Sequence, residues 1–575
     1  MNLNGPSVAE RFLTNPNVDD ATKAAVSIMT PESRTIAFDG YMSFGTAGLR
    51  AKMQPGTAFM NLYTVAHATA GIAKYICSEG SDAMERGVVI AYDSRTNSPE
   101  FAQRCAQVLS AYHIKTYLFS ELRPTPVLSF ALRYLSCQAG INITASHNPK
   151  EYNGYKVYWA DGAQIGAEQA NAISKEIESL DILDDVPSPE QADESLILSV
   201  PQEVDAAYLD AVLGEQVNRQ AIPAVSEELH VVYTPLHGAG ITMVPQVLRR
   251  AGVTQLHIVQ AQETPDGTFP TVAYPNPEET EAYVLGGQLA EETNSDLIVA
   301  TDPDSDRVGV MARDRNGSFR HITGNQIGAL LLEYIIKAHQ QNGTMPCSPY
   351  AVKTIVSSNL AAEICRRNGV TLYEVLTGFK YIGEIVKEQL QAGKSTFLLG
   401  FEESYGFLKG TYTRDKDAVV ASLLICEMAA FYKAQKKTLC DALQELFTKY
   451  GVFLEKTLNF YFDTPDGQEK IRAIMKYLRG NTTQTLAGEP ILSLRDYLTG
   501  TVLDTETGET APTGLPISDI LYFETAHCTV VVRPSGTEPK LKIYLLAKGT
   551  EQAEAEQTVA LYEAEMQTLL HMADM

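Results

Sequence analysis

The fold of this chain is decided by the stretch Leu297-Ile-Val-Ala-Thr-Asp-Pro-Asp-Ser-Asp-Arg307, in which an apolar run passes directly into three alternating aspartates. A second apolar run, Val308-Gly-Val-Met311, follows at once. Short apolar runs of this kind predict buried strands, so the carboxylates of Asp302, Asp304 and Asp306 are expected in a loop between two strands.

Carboxylates at alternate positions in such a loop can be directed at one point. Ligands that are all oxygens favour a hard divalent cation, and Mg²⁺ keeps open positions for a phosphate oxygen. A calcium-binding EF-hand is disfavoured, because its sixth and twelfth positions, counted from Asp302, hold Arg307 and Arg313 where Gly and Glu are required. A solvated acidic turn is the other interpretation, which the flanking apolar runs disfavour.

Two further loops carry groups suited to phosphate chemistry. In Ile141-Asn-Ile-Thr-Ala-Ser-His-Asn-Pro149 an alternating apolar segment ends in a polar turn, which makes Ser146 a candidate nucleophile or phosphate carrier beside His147. The segment Arg533-Pro-Ser-Gly-Thr-Glu-Pro539 offers a guanidinium, two hydroxyls and a glycine N–H, which are the donors of a phosphate-binding loop. Ordinary turns are the alternative for both segments.

A strand–helix–strand order repeats three times along the chain, and each copy ends in a candidate loop. First strands are predicted at residues 88–92, 230–233 and 351–356, and helices follow at 99–112, 244–251 and 360–368. Closing strands at 141–146, 296–300 and 395–400 lead into the serine loop, the aspartate loop and the loop Glu402-Glu-Ser404. Such alternation predicts parallel βαβ units, whose ligand sites gather beyond the carboxyl ends of the strands.

We therefore predict an α/β protein of four domains around a central cleft. Three related α/β domains with mixed or parallel sheets are followed by a smaller C-terminal α+β domain. The predicted ranges are 1–205, 206–324, 325–450 and 451–575, and the first boundary lies in the polar, proline-bearing stretch 181–203.

The composition is that of a globular enzyme with an acidic surface. Of its 575 residues 45% are hydrophobic and 20% charged, and the net charge is −24, which disfavours nucleic acid and anionic membranes as partners. Eight scattered cysteines and the lack of a long apolar segment predict a cytoplasmic protein with reduced thiols. A phosphate would then be bound locally by cations in or beside the loops: Arg50, Arg95, Lys156, Arg307, Lys380, Arg414, Lys416 and Arg533.

Taken together, the loops resemble those of the α-D-phosphohexomutase superfamily, the phosphoglucomutases and phosphomannomutases. The matching motifs are the phosphoserine loop Thr144-Ala-Ser-His-Asn-Pro149, the metal loop Asp302–Arg307, the sugar-recognition loop Gly400-Phe-Glu-Glu-Ser-Tyr-Gly406 and the phosphate loop Arg533–Pro539. They occur in the family's order over nearly the whole chain. The stretch 263–278 is similar to the branch of larger phosphoglucomutases and phosphopentomutases.

The resemblance implies an isomerase that interconverts α-D-glucose 1-phosphate and glucose 6-phosphate. Ser146 would carry the phosphoryl group, glucose 1,6-bisphosphate would be the bound intermediate and activator, and Mg²⁺ would be held by Asp302, Asp304, Asp306 and the phosphoserine. Catalytic roles are implied for Ser146, Lys156, Arg50 and His147, where His147 either handles a proton or positions Ser146. Neighbouring cations are expected to lower the pKa of Lys156 and suit it to acid–base work.

The same resemblance implies a set of substrate-binding residues: Arg307, Lys380, Glu402, Ser404, Arg414, Lys416, Arg533, Ser535, Gly536 and Thr537. Phosphomannomutase and phosphopentomutase are the alternatives within the class. A metal-dependent phosphosugar hydrolase and an inactive sugar-phosphate binding protein are the alternatives outside it. The expected partner is a small phosphosugar, and the expected assembly a monomer or homodimer.

Overall fold

Buried strands alternate with helices along the whole chain. The computed structural model describes residues 7–462, 466–480, 485–535 and 540–574. Internal packing divides them into two units. Unit 1 holds the described residues up to Thr323, together with Gly383–Leu399 and Ser404–Leu439. Unit 2 holds Gly324–Ile382, Gly400–Glu403 and the described residues from Cys440 onward.

The first sheet belongs to unit 1 and has six strands in the order β1-β5-β4-β2-β3-β6. They are β1 (Leu49–Lys52), β2 (Val88–Tyr92), β3 (Thr116–Leu118), β4 (Ala139–Ile143), β5 (Tyr152–Trp159) and β6 (Ile197–Ser199). Strands β2, β3, β4 and β6 run parallel, whereas β5 is antiparallel to β4 and to β1. The serine loop leaves the carboxyl end of β4, which adjoins β2.

Nine helices of unit 1 accompany this sheet in the described part of residues 1–214. They are α1 (Val8–Thr14), α2 (Asp20–Ser27), α3 (Pro31–Ala37), α4 (Leu62–Ser78), α5 (Ser81–Arg86), α6 (Ser98–Ala111), α7 (Thr125–Tyr134), α8 (Ala167–Glu178) and α9 (Glu203–Gly214). Helix α4 starts where the Asn61 side chain accepts hydrogen bonds from the N–H groups of Tyr63 and Thr64. Its apolar residues pack with β2, β4 and α6 in one core.

The second sheet, also in unit 1, has the order β11-β10-β9-β7-β8. Its strands are β7 (His230–Thr234), β8 (Gln255–Ile258), β9 (Leu297–Thr301), β10 (Val308–Arg313) and β11 (Phe319–Ile322), and its helices are α10 (Val244–Arg250), α11 (Gln260–Glu263) and α12 (Val284–Glu292). Strands β7, β8 and β9 are parallel, and β10 returns antiparallel to β9. The aspartate loop is therefore the connection between β9 and β10.

The third region contains elements of both units. They are α13 (Gly324–Asn342), β12 (Pro349–Thr354), α14 (Leu360–Asn368), β13 (Thr371–Val375), α15 (Phe379–Ala392), β14 (Thr396–Glu402), β15 (Gly406–Leu408), α16 (Ala418–Lys433) and α17 (Leu439–Tyr450). Strands β12 and β13 pair in parallel. Helix α16 is apolar on all sides and buried along nearly its whole length, with Asp417 as its N-cap.

The last region lies in unit 2 and is built on an antiparallel sheet of order β16-β24-β23-β22-β19-β20-β21. The elements are β16 (Val452–Tyr461), α18 (Gly467–Gly480), β17 (Thr485–Leu486), β18 (Glu489–Pro490), β19 (Ser493–Asp496), β20 (Thr501–Asp504), β21 (Thr510–Pro512), β22 (Leu521–Glu524), β23 (Cys528–Pro534), β24 (Lys540–Gly549) and α19 (Gln552–Asp574). Helices α18 and α19 contribute to its core.

The observed elements follow the predicted strand–helix–strand order closely. The predicted strands near 88–92, 230–233 and 296–300 correspond to β2, β7 and β9, and the predicted helices correspond to α6, α10 and α14. The stretch 181–203 is more ordered than a plain linker, because β6 lies in it and pairs with β3. Among the described residues, no helix has both the length and the apolar character that crossing a membrane requires.

Candidate active site

The serine loop is held in an unusual backbone conformation. Ser146 follows β4 with a φ of 53°, in the left-handed region that few residues other than glycine adopt, and it is 2% exposed. Its N–H donates to Thr144 Oγ1 over 2.8 Å. Its hydroxyl donates to Asp302 Oδ2 over 2.7 Å and lies 3.2 Å from His147 Nδ1. The structure thus brings the predicted serine and the predicted metal loop into direct contact.

Arg95 fixes this loop, a function that the sequence analysis did not assign to it. Its guanidinium is fully buried and donates to the carbonyl oxygens of Ser146, Asn148, Pro149 and Tyr152. Its Nε lies 3.3 Å from a carboxylate oxygen of Asp93, which follows β2. Because β2 and β4 are parallel neighbours, their carboxyl ends meet, and the arginine after one strand can bind the loop after the other.

The three aspartates of the metal loop are directed toward one another. Asp302, Asp304 and Asp306 are 0–2% exposed, and each offers a carboxylate oxygen within 4.8 Å of the others. Ser305 has a φ of 53°. The turn after β7 packs against the loop so closely that a Cβ on Gly238 would lie 2.4 Å from Pro303 Cα, which makes glycine necessary there.

The chemistry of these carboxylates fits a divalent cation. Asp304 Oδ1 and Asp306 Oδ1 are buried without a hydrogen-bond partner among the described residues. Burial and the neighbouring carboxylates of Asp304 and Asp306 raise the pKa of Asp302 well above its usual value. Buried like charges and unsatisfied oxygens are unfavourable in isolation, and a cation ligated by oxygen would relieve both.

Lys156 lies among these carboxylates. It is 5% exposed, and its Nζ is 2.7 Å from Asp304 Oδ2 and 3.0 Å from Asp306 Oδ2. Burial alone would lower the pKa of Lys156, but the carboxylates of Asp304 and Asp306 outweigh it and raise the pKa. The expectation that neighbouring cations lower this pKa is therefore wrong for the protein without bound ions, because its nearest charges are anionic.

A second lysine and the arginine that ends the metal loop also lie close to Asp306. Lys416 Nζ is 3.3 Å from Asp306 Oδ2 and 3.2 Å from Asp415 Oδ1. Burial alone would raise the pKa of Asp306, but Lys156, Lys416 and Arg307 outweigh it and lower the pKa. The pKa values of Asp302 and Asp306, in one short loop, are therefore shifted in opposite directions.

His147 and Arg50 flank Ser146. Burial and the cations of Arg307 and Arg50 lower the pKa of His147 well below its usual value, so the imidazole is neutral near pH 7. Arg50, in β1, donates from Nη1 to Asn148 Oδ1 over 2.9 Å. Both side chains therefore lie at the serine loop, as the sequence predicts.

Three further predicted residues belong to unit 1: Arg307 lies in the metal loop, Ser404 adjoins a residue that contacts this loop, and Arg414 contacts its own segment. Arg307 Nη1 donates to Glu278 Oε1 over 2.8 Å. Ser404 precedes Tyr405, whose carbonyl oxygen accepts from the N–H of Val308 at the end of the metal loop. Arg414 is buried, and its Nη1 donates to the carbonyl oxygens of Thr411 and Thr413.

The other predicted residues belong to unit 2. Glu402 is 7% exposed at the end of β14. Beside it, burial and the Glu402 carboxylate raise the pKa of Glu403 to about 7, while Thr354 Oγ1 donates to Glu403 Oε2 over 3.1 Å. Lys380 Nζ lies 4.9 Å from the ring centre of Tyr381.

The phosphate loop is described only in part. Arg533, in β23, pairs with Lys542 of β24, and the N–H of Ser535 donates to the carbonyl oxygen of Lys540 over 2.7 Å. The predicted residues Gly536 and Thr537 lie outside the described residues.

Comparison with known families gives four successive matches. The phosphoglucomutase/phosphomannomutase models match as alpha/beta/alpha domain I over residues 41–183, domain II over 206–317, domain III over 323–450 and the C-terminal domain over 494–564. The order is that of the sequence motifs. The predicted fold class, three α/β domains followed by a C-terminal domain, is confirmed.

Curated relatives and solved structures agree with these matches. Phosphoglucomutase of Staphylococcus epidermidis is 39% identical over 518 residues, which cover 90% of this chain and 92% of the relative. Phosphoglucomutase of Staphylococcus aureus is 38% identical over 513 residues, covering 89% and 90%. A putative phosphomannomutase from Thermus thermophilus has a TM-score of 0.68 at 23% identity, over 92% of this chain and 99% of that one, and shares the fold.

These similarities extend over most of the chain and include all three motif loops of the α/β domains. The identity and coverage of the curated relatives confirm the predictions that the protein is an enzyme and that it is a mutase. The chain belongs to the phosphoglucomutase/phosphomannomutase family.

Proposed function

We propose that the protein interconverts α-D-glucose 1-phosphate and glucose 6-phosphate through a phosphoserine at Ser146 and a bound glucose 1,6-bisphosphate. The observation that carries the proposal is the hydrogen bond of 2.7 Å from Ser146 Oγ to Asp302, one of three converging buried carboxylates. The relatives named phosphoglucomutase support the choice of glucose over mannose or ribose.

In the first step the bond between phosphorus and Ser146 Oγ breaks while a bond forms from phosphorus to the free sugar hydroxyl. The proton of that hydroxyl replaces the phosphoryl group on Ser146, so atoms and charge balance. The second step runs in reverse with the other phosphate of the bisphosphate. Such transfer depends on alignment and charge stabilisation more than on covalent chemistry.

Acid–base roles follow from the charge states at the site. Neutral His147 has Nδ1 3.2 Å from Ser146 Oγ, and in the tautomer with a proton on Nδ1 it can donate to that oxygen and orient the serine, whose own proton is donated to Asp302. Lys156 is protonated, with a raised pKa, and suits the role of proton donor more than that of base. Arg50 and Arg307 place positive charge beside Ser146, where a phosphoryl group would be negative.

Asp302, Asp304 and Asp306, with phosphorylated Ser146, would hold Mg²⁺. Bound there, the cation would neutralise charge on the transferring phosphoryl group. The orphaned oxygens of Asp304 and Asp306 support this assignment. Glucose 1,6-bisphosphate would serve as the activator that phosphorylates Ser146.

Substrate recognition is proposed for side chains that suit sugar hydroxyls and phosphate. Glu402 and Ser404 suit sugar hydroxyls, and the cations and donors suit the phosphate that is not reacting. The proposed set is Arg307, Lys380, Glu402, Ser404, Arg414, Lys416, Arg533, Ser535, Gly536 and Thr537. We also propose the domain ranges 1–205, 206–324, 325–450 and 451–575. A cytoplasmic location and a monomeric or homodimeric state are proposed as well.

One assay tests the proposal. Purified protein is incubated with Mg²⁺, glucose 1-phosphate and a trace of glucose 1,6-bisphosphate, and glucose 6-phosphate and inorganic phosphate are both measured. Glucose 6-phosphate with a phosphoryl mass on the protein, lost in Ser146→Ala, is the expected result. Inorganic phosphate without glucose 6-phosphate would identify a hydrolase instead. Mannose, ribose and deoxyribose 1-phosphates in competition would identify the preferred sugar.

A further inference from the structure

One segment of unit 1 contacts Arg95, the residue that fixes the serine loop. This segment has no part in the function proposed above. Residues 264–272, here called the brace segment, follow α11. Phe269 is 3% exposed, and its ring centre lies 5.1 Å from the guanidinium carbon of Arg95. Phe269 also has a φ of 45°, a strained conformation for an aromatic residue.

The brace segment also approaches the backbone on either side of Arg95. A Cβ on Gly267 would lie 2.2 Å from the nitrogen of Thr96 and 2.7 Å from the carbonyl oxygen of Ser94. Distances this short are incompatible with any side chain unless the backbone moves. The glycine therefore permits a contact between main chains that brings Phe269 over Arg95.

The brace segment is itself anchored to the second sheet. His237, after β7, lies 2.8 Å through Nε2 from Thr271 Oγ1 and 3.2 Å through Nδ1 from the carbonyl oxygen of Thr264. Gln262 Nε2 donates to Thr271 Oγ1 over 3.0 Å, and Thr234 Oγ1 donates to Gln262 Oε1. The segment is therefore fixed to the strand that adjoins β9, from which the metal loop leaves.

We propose that Phe269 and Gly267 are positioning residues that hold Arg95, and through Arg95 the loop of Ser146, in register with the metal loop. The inference rests on the proposed function, since it assigns these residues to phosphoryl transfer at Ser146. An aromatic ring over a buried guanidinium stabilises it and restricts its movement. Arg95 in turn binds three carbonyl oxygens of the serine loop and that of Tyr152 at the start of β5, so a shift of its guanidinium shifts Ser146.

The test measures one phosphoryl transfer. Protein phosphorylated with labelled glucose 1,6-bisphosphate is mixed with excess unlabelled glucose 1-phosphate, and transfer of the label from protein to sugar is followed by rapid quench, because the second step returns an unlabelled phosphoryl group to Ser146. Phe269→Leu is expected to slow this step about 10- to 100-fold, because small misplacements of reacting groups have large effects. Phe269→Tyr, which keeps the ring face, is expected to restore the rate.

Phe12→Leu is the matched control, because Phe12 is also fully buried but packs against Phe38 and Tyr63. It is expected to lower the unfolding midpoint without slowing transfer. In combination with Arg95→Lys, Phe269→Leu is expected to add no further slowing, since both act through one guanidinium. If Phe269→Leu does not fold, Gly267→Ala is tested in its place. It is also expected to slow transfer and to add no further slowing to Arg95→Lys.

Three outcomes would overturn the inference while the proposed function stands. They are a transfer rate for Phe269→Leu equal to that of Phe12→Leu, equal slowing by Phe269→Leu and Phe269→Tyr, and full additivity with Arg95→Lys. Absence of any transfer in the unaltered protein would instead contradict the proposed function.

Discussion

The metal loop and the segment at Asp415 and Asp417 both bury carboxylates in unit 1, but they use them in opposite ways. Both oxygens of Asp417 accept hydrogen bonds, from the hydroxyls of Tyr208 and Tyr412 and from N–H groups at the start of α16. In the metal loop Asp304 and Asp306 each keep one buried oxygen without a hydrogen-bond partner among the described residues.

The difference separates structural carboxylates from those proposed to hold Mg²⁺. Asp417 is a helix cap whose hydrogen-bonding capacity is met within the protein, so nothing further needs to bind there. The metal loop bears an energetic cost that only an added cation removes. Lys416 lies between the two regions, within 3.3 Å of Asp306 and 3.2 Å of Asp415.

The largest expected effect comes from neutralising a ligating carboxylate. Asp304→Asn keeps the shape of the side chain but removes its charge, so turnover should fall on the order of 10³-fold, with a loss of several kcal/mol of transition-state stabilisation. Without Mg²⁺ the loss of a repelling carboxylate and the loss of the ion pair with Lys156 Nζ, 2.7 Å from Asp304 Oδ2, act in opposite directions on the unfolding midpoint, so the diagnostic result is that the midpoint no longer responds to Mg²⁺. Turnover and unfolding curves with and without Mg²⁺ are the measurements.

Asp417→Asn is the matched control. It should destabilise the protein by about 1–3 kcal/mol through weakened buried hydrogen bonds, while the folded fraction keeps its response to Mg²⁺. If Asp417→Asn abolished the Mg²⁺ response and Asp304→Asn did not, the distinction between the two regions would be wrong.

Substitution of a residue that supports the metal loop should reduce activity less than loss of a carboxylate. Thr125 Oγ1 donates to Asp304 Oδ2 over 2.8 Å and accepts from Asn142 Nδ2. Thr125→Val removes this bond with little change in volume, and the apparent affinity for Mg²⁺ should fall about 10- to 100-fold. Activity measured against Mg²⁺ concentration would show this loss of affinity. At saturating Mg²⁺, turnover should return to that of the unaltered protein. Lost turnover that excess Mg²⁺ does not restore would contradict a purely supporting role.

Contacts such as that of Thr125 with Asp304 could not be predicted from the sequence, whereas several strands and loops could. The strands β2, β7 and β9 and the loops after β4 and β9 could be predicted because apolar runs and polar turns are local signals. The role of Arg95 depends on β2 lying beside β4, and Tyr208 meets Asp417 across 209 positions of sequence. The charge state of Lys156 could not be predicted, because it depends on which of many nearby charges lie within 3.0 Å.

The pH dependence of stability should reveal the buried carboxyl group of Asp302 in the metal loop. The folded pKa of Asp302 is raised, so its contribution favours folding below the unfolded pKa and is lost as pH rises through the folded pKa. Without Mg²⁺, the unfolding midpoint reported by Trp159, the single tryptophan, should therefore decline more with rising pH in the unaltered protein than in Asp302→Asn. Saturating Mg²⁺ should remove that difference, and identical profiles without Mg²⁺ would contradict the assignment.

The smallest effect is expected from a substitution next to Asp415, in the segment whose carboxylates are structural. Tyr158 donates to Asp415 Oδ2 over 2.7 Å, and Gln164 Nε2 donates to the same oxygen over 2.9 Å. Tyr158→Phe leaves that oxygen one donor, so the protein should lose about 1 kcal/mol of stability. Because Lys416 keeps its contact with Asp306, Mg²⁺ affinity should stay as it is. A fall in Mg²⁺ affinity as large as that in Thr125→Val would show that Asp415 supports the metal loop through Lys416, and the two regions would then be one network.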